Sequence, residues 1–318
     1  MDNSSLRVPA ETAIKQCMDL RPGESCAVVT DDKRKAIGEA LYRVASEITD
    51  DTVFVRYPSG DQHGEEPPRP VAGAMRTADV VLAPTTKSLT HTEARSDANA
   101  AGARVATLPG ITEGVFLMGL DADYEAIEAH CEDVLAQVGD AEEIRVTTPQ
   151  GTDITFTVGS REWYLDTGIV HEAGEMSNLP AGEVFLSPET ADGTFVVDGT
   201  MMPHGLLDEE QTLEFEVDDG YVTEVSDAAV REEIEAAADE VGQDAYNLAE
   251  LGIGTNVGVT ELIGSVLLDE KAAGTVHIAI GDDHAIGGDT EAPIHLDGVI
   301  RDPTVSVDGE RIELPSGV

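Results

Sequence analysis

Between residues 25 and 108, short apolar runs alternate with stretches of helical period, and this alternation leaves few architectures open. Residues 25–30 and 52–56 form apolar runs on either side of a helical stretch at 34–48. Beyond a proline-rich loop at 59–70 come a short helix, the run 80–83, a helical pattern at 91–101 and the run 103–108. Strands joined by helical crossovers build a parallel sheet covered on both faces. An amphipathic helix at 123–138, with Ile127, Cys131 and Val134 on one side, closes this part, and the boundary is expected near residues 139–142. The prediction is an α/β N-terminal domain over residues 1–140, a parallel sheet with flanking helices. Asp31, Asp32 and Lys33 follow the first run where a glycine-rich phosphate loop would stand, which argues against nucleotide binding.

The second half has a different grammar. Residues 144–148 and 152–158 alternate around Pro149, Gln150 and Gly151, as in a β-hairpin. Short strands are expected at 183–186, 194–197, 212–217, 221–225, 248–253 and 275–281, and helices at 227–241 and 260–268. This is an α+β C-terminal domain over 141–318.

Composition narrows the setting. Sixty-three acidic residues against nineteen basic ones give a net charge of −44, yet 41% of residues are hydrophobic, and the acids are dispersed among them. A disordered acidic tail would instead show contiguous charged blocks. Molar salt shortens the screening length to ~3 Å and relieves the self-repulsion, so a salt-in halophile is the expected source. Only five lysines occur, with acids at the positions where surface lysines usually stand. The same field repels phosphates and anionic headgroups, so neither nucleic acid nor membrane is an expected partner. Without a basic, apolar leader or a run of ~18–20 apolar residues, a cytoplasmic protein is expected. Cys17, Cys26 and Cys131 lack metal-knuckle spacing and read as small core residues.

Chemistry concentrates in the second half. His295 and Asp297, two apart in an extended segment, point to one side and can converge on one ion. His277 lies among alternating apolar residues on an expected inner strand. Glu183 and Glu250 each interrupt an apolar stretch beside glycines. Burying such a carboxylate unpaired costs several kcal/mol, a cost that a cation offsets.

Four blocks in order carry a resemblance: residues 178–185 (NLPAGEVF), 249–256 (AELGIGTN), 268–281 (LDEK and GTVHIAIG) and 294–297 (IHLD). Together they resemble the aminopeptidase T and aminopeptidase S family over roughly residues 170–300. The resemblance implies two divalent ions, zinc, cobalt or manganese, held at the positions of Glu183, Glu250, Glu270, His277, His295 and Asp297, with Glu250 as a bridge. It also implies a homodimer and short peptides as substrates. His284 stands where the family has a tyrosine, and would steady the developing oxyanion. Glu183 is the candidate proton shuttle.

On these grounds a metalloaminopeptidase using metal-activated water is the leading expectation. Relatives resembling this family include ring-cleaving dioxygenases of dihydroxypyridines, for which His277, His295 and Asp297 would form the iron-binding triad around Fe(II). A non-catalytic, metal-stabilised binding protein is the third reading. Trp163 and Tyr164 read as core or interface residues, His171 and His204 as neighbours of the site, and His63, His91 and His130 as structural.

Overall fold

The computed structural model describes residues 5–316. Residues 1–4, where part of the leader argument falls, lie outside the described residues. No described helix is long and apolar enough to cross a membrane. The chain forms two compact units, Met1–Glu128 with Asp166–Ala181, and Ala129–Leu165 with Gly182–Val318. The division is therefore discontinuous: residues 166–181 return to the first unit after the chain has entered the second.

In the first unit a parallel sheet runs in the order Thr52–Arg56, Cys26–Thr30, Val80–Thr85, Arg104–Pro109, Met176–Asn178. Its central strands are buried along nearly their whole length because helices cover a parallel sheet on both faces; Val29, Val81, Ala83 and Val105 are buried against Val71 and Met75 of the Arg69–Thr77 helix. The Asp31 carboxylate closes the end of the first strand by accepting from the N–H groups of Lys33 (2.9 Å), Arg34 (3.1 Å) and Thr86 (2.5 Å). Burial opposes its charge, but these donors hold it below the usual carboxylate range.

The second unit holds two seven-stranded sheets. One runs Tyr221–Val225, Leu213–Asp218, Thr190–Val197, Asp153–Thr157, Glu143–Thr147, Thr304–Val307, Glu310–Arg311. Strict alternation along Leu213–Asp218 buries Leu213, Phe215 and Val217, and Phe215 stacks on Phe195 at 4.5 Å between ring centroids. The other runs Gly205–Leu206, Thr200–Met201, His295–Ile300, Val276–Gly281, Leu248–Gly254, Glu183–Leu186, Tyr164–Asp166. The α/β and α+β classes expected from the sequence are both present.

One local expectation changes, and two elements appear that the sequence reading lacks. Residues 260–268 are mostly loop, with only Val266–Asp269 helical. The buried Asp269 carboxylate accepts from Thr200 Oγ1 (2.6 Å) and from the N–H groups of Ile263 and Gly264, which fixes a turn there in place of a helix. The Glu113–Leu120 helix carries no amphipathic signal because it is apolar nearly all round. The Met176–Asn178 strand is too short and polar to show a period. All three cysteines are buried and free of disulfides.

Candidate metal centre

Four strands of the second sheet deliver the candidate side chains. Glu183 opens Glu183–Leu186, Glu250 lies in Leu248–Gly254, His277 in Val276–Gly281, and His295 and Asp297 in His295–Ile300. Register stacks them: Gly252 faces Phe185 on one side and His277 on the other, while Ala279 faces Asp297 and Gly281 faces His295. Two glycines make room. A Cβ on Gly252 would stand 2.0 Å from His277 Nε2, so only glycine leaves space for the imidazole. Gly182, at φ +123°, lies so close to Asn256 that a side chain there would collide with it.

Among the described residues, two groups of three bring donor atoms within 4.8 Å of one another: Glu183 with Glu250 and His277, and Glu250 with His295 and Asp297. Glu250 belongs to both. His277 Nε2 is 3.2 Å from Glu250 Oε1 and 3.4 Å from Glu183 Oε2; His295 Nε2 is 3.4 Å from both Glu250 Oε2 and Asp297 Oδ1. The backbone carbonyl of Asp282 accepts a hydrogen bond from His295 Nδ1–H at 2.7 Å, which leaves Nε2 for the carboxylates. Glu183, Glu250 and His277 are buried, whereas the His295 side chain keeps 34% exposure, so the group is approached from the His295 side.

The electrostatics favour a positive charge among these side chains. Burial alone would lower the His277 pKa, but the hydrogen bond to Glu250 and the surrounding carboxylates raise it to about 9. Burial likewise opposes charge on His295, and Asp297 with Glu250 drives it well up. Burial pushes Glu183 up to about 8 against the pull of Lys271 and His277. Glu250 and Asp297 are drawn down, despite burial, by the imidazoles. Two buried atoms, Glu183 Oε2 and His277 Nδ1, have no hydrogen-bond partner among the described residues. A set of carboxylate oxygens and imidazole nitrogens with unused capacity suits a divalent first-row metal.

Other candidates fall elsewhere. Glu270 reaches the cluster through Lys271, whose ammonium is 2.9 Å from Glu270 Oε1 and contacts Glu183 Oε1; it joins neither group of three. His284 sits exposed in the short helix His284–Ile286 and also joins neither group. His171 bonds to the Gln16 carbonyl and His204 pairs with Asp227 at the start of the Ala228–Val241 helix. Lys271 had no role in the sequence reading. Its signal was position: the other four lysines fall between residues 15 and 87, and this one sits inside the LDEK block.

A family described as NicX, 2,5-dihydroxypyridine 5,6-dioxygenase, matches residues 10–315. No curated protein matches the chain. Among solved structures, 2,5-dihydroxypyridine dioxygenase from Pseudomonas putida KT2440 shares 19% identity at a TM-score of 0.78, covering 100% of this chain and 98% of that one. Wild-type AmpT from Thermus thermophilus shares 18% identity at a TM-score of 0.65, with 98% of each chain covered. At these identities the structures speak for the fold. The family match corrects the aminopeptidase expectation, and with it the hydrolase chemistry and peptide substrates. Nor does anything here support a pair of zinc, cobalt or manganese ions. The four sequence blocks report a scaffold whose carboxylate and imidazole donors suit either chemistry, so they carried the fold correctly and the reaction wrongly. Matched over nearly its whole length, the chain belongs to the NicX, 2,5-dihydroxypyridine 5,6-dioxygenase, family.

Proposed function

We propose that the chain is a non-haem Fe(II) dioxygenase that opens the ring of a dihydroxypyridine-like aromatic, and that Glu250, His295 and Asp297 hold the iron. The observation that carries the reading is the convergence of these three side chains at an accessible rim, in a chain matched by a dioxygenase family over residues 10–315. The triad expected from the sequence, His277 with His295 and Asp297, is replaced in this proposal: His277 groups with Glu183 and Glu250, where it hydrogen-bonds Glu250 and orients it. Bound Fe(II) supplies the one-electron chemistry toward O2 that no side chain of this chain provides.

The remaining residues bind and manage protons. Phe185, two residues beyond Glu183 on the same strand, lies on the same face and stacks with Tyr164 at 5.6 Å, offering a flat apolar wall to an aromatic ring. Glu183, held at about 8, exchanges a proton near neutral pH and is the group to take up or return a substrate hydroxyl proton. His295, fixed by the Asp282 carbonyl, keeps its ring orientation through the cycle. The test is oxygen consumption by Fe(II)-loaded protein given 2,5-dihydroxypyridine in molar KCl. Stoichiometric O2 uptake with loss of the ring absorbance is expected. Inertness of the iron-loaded protein, or oxygen-independent hydrolysis of an aminoacyl anilide, would overturn the proposal.

A further inference from the structure

Lys271 places a positive charge inside the carboxylate cluster. It is 5% exposed, its ammonium contacts Glu183 Oε1, and it stands 2.9 Å from Glu270 Oε1. Its backbone is fixed as well: the Lys271 N–H donates to Leu268 at 3.1 Å, and its carbonyl accepts from Asn256 N–H at 2.8 Å. Two residues earlier, Asp269 is anchored by Thr200 Oγ1 and two backbone N–H groups. The ammonium is thus delivered from a rigid turn to one carboxylate oxygen of the inner group of three.

We propose that Lys271 is a built-in cation that fills the second positive position of this cluster, so that the centre takes one divalent ion, at Glu250, His295 and Asp297, and not two. The inference rests on the metal reading above and goes beyond it. A second ion would have to sit among Glu183, Glu250 and His277, the other group whose donors lie within 4.8 Å. Lys271 holds one Glu183 oxygen, leaving Oε2 beside His277. An ion on that oxygen would face an ammonium bound to the same carboxylate, in a buried site where repulsion is weakly screened. The same geometry leaves Glu183 with a single oxygen for any ion beside His277.

Metal content tests this without reference to turnover. Wild type, Lys271→Arg and Lys271→Met are loaded with Mn(II), desalted and analysed by atomic emission, with binding isotherms measured by calorimetry. Expected are one ion per chain for wild type and Lys271→Arg, and two for Lys271→Met, the second appearing as a separate phase. Two ions in wild type, or one in a folded Lys271→Met, would overturn the proposal. Should Lys271→Met not fold, Lys271→Gln, which keeps a hydrogen-bond donor for Glu183 without the charge, is read the same way. The metal reading itself is distinguished by wild type: no bound ion there would sink that reading and this inference together.

Discussion

At the residue scale, the site depends on a residue with no side chain. Replacing Gly252 by alanine puts a methyl group 2.0 Å from His277 Nε2, and the imidazole must move. Gly252→Ala is expected to weaken metal binding by roughly 10–100-fold, the usual cost of losing a group that orients a ligand, here Glu250; an isotherm matching wild type would contradict the arrangement. The cluster also sets a pH dependence. In the metal-free chain His277 is raised to about 9 and Glu183 to about 8, so the folded state holds protons that the unfolded chain releases. Stability from His277 is full below its unfolded value of ~6.5 and is lost as pH rises through about 9. The metal-free melting temperature should therefore fall between pH 6.5 and 9, and Glu183→Gln should make that fall shallower; a flat profile would contradict it. Glu183, Glu250 and His277 were legible because each stands within an apolar stretch, and His295 and Asp297 because they lie two apart in an extended segment. Lys271 escaped because lysines entered the reading only as a count, and His284, set by the resemblance at a family tyrosine's place, lies exposed in the short helix His284–Ile286.

At the element scale, apolar runs revealed three of the four strands that carry the site, Glu183–Leu186, Leu248–Gly254 and Val276–Gly281, while His295–Ile300 was expected only as an extended segment. What stayed hidden had no period to show: the Glu113–Leu120 helix, apolar on nearly all sides, the three-residue Met176–Asn178 strand, and the turn at 263–269 that hydrogen bonds to Asp269 hold. The stacked Phe195 and Phe215 tie two neighbouring strands of the other sheet. Phe215→Ala should cost about 3–5 kcal/mol in denaturant unfolding, through lost burial and a residual cavity. The Tyr164–Phe185 pair belongs to the site's own sheet. Tyr164→Ala is expected to raise KM for an aromatic substrate ~2–10-fold, the value of an aromatic contact, with metal content unchanged. An unaltered KM would remove Tyr164 from the substrate wall.

At the scale of the whole molecule, a net charge of −44 on 318 residues makes the fold dependent on its solvent. Raising KCl from 0.1 to 2 M should raise the melting temperature markedly, because unpaired surface carboxylates repel over a Debye length that contracts from ~10 Å to a few ångströms; insensitivity to salt would contradict that reading. The same scale shows why the reaction was not legible. Carboxylate and imidazole donors suit hydrolysis and oxygen chemistry alike, so the blocks identified a scaffold, and the match over residues 10–315 places the chain in a dioxygenase family. The central claim is that this centre couples one iron to oxygen and an aromatic ring. It is tested most directly by giving the Fe(II)-loaded protein 2,5-dihydroxypyridine under 18O2 and weighing the product: a ring-opened product carrying both labelled atoms is expected, while an unlabelled or intact ring would contradict the account.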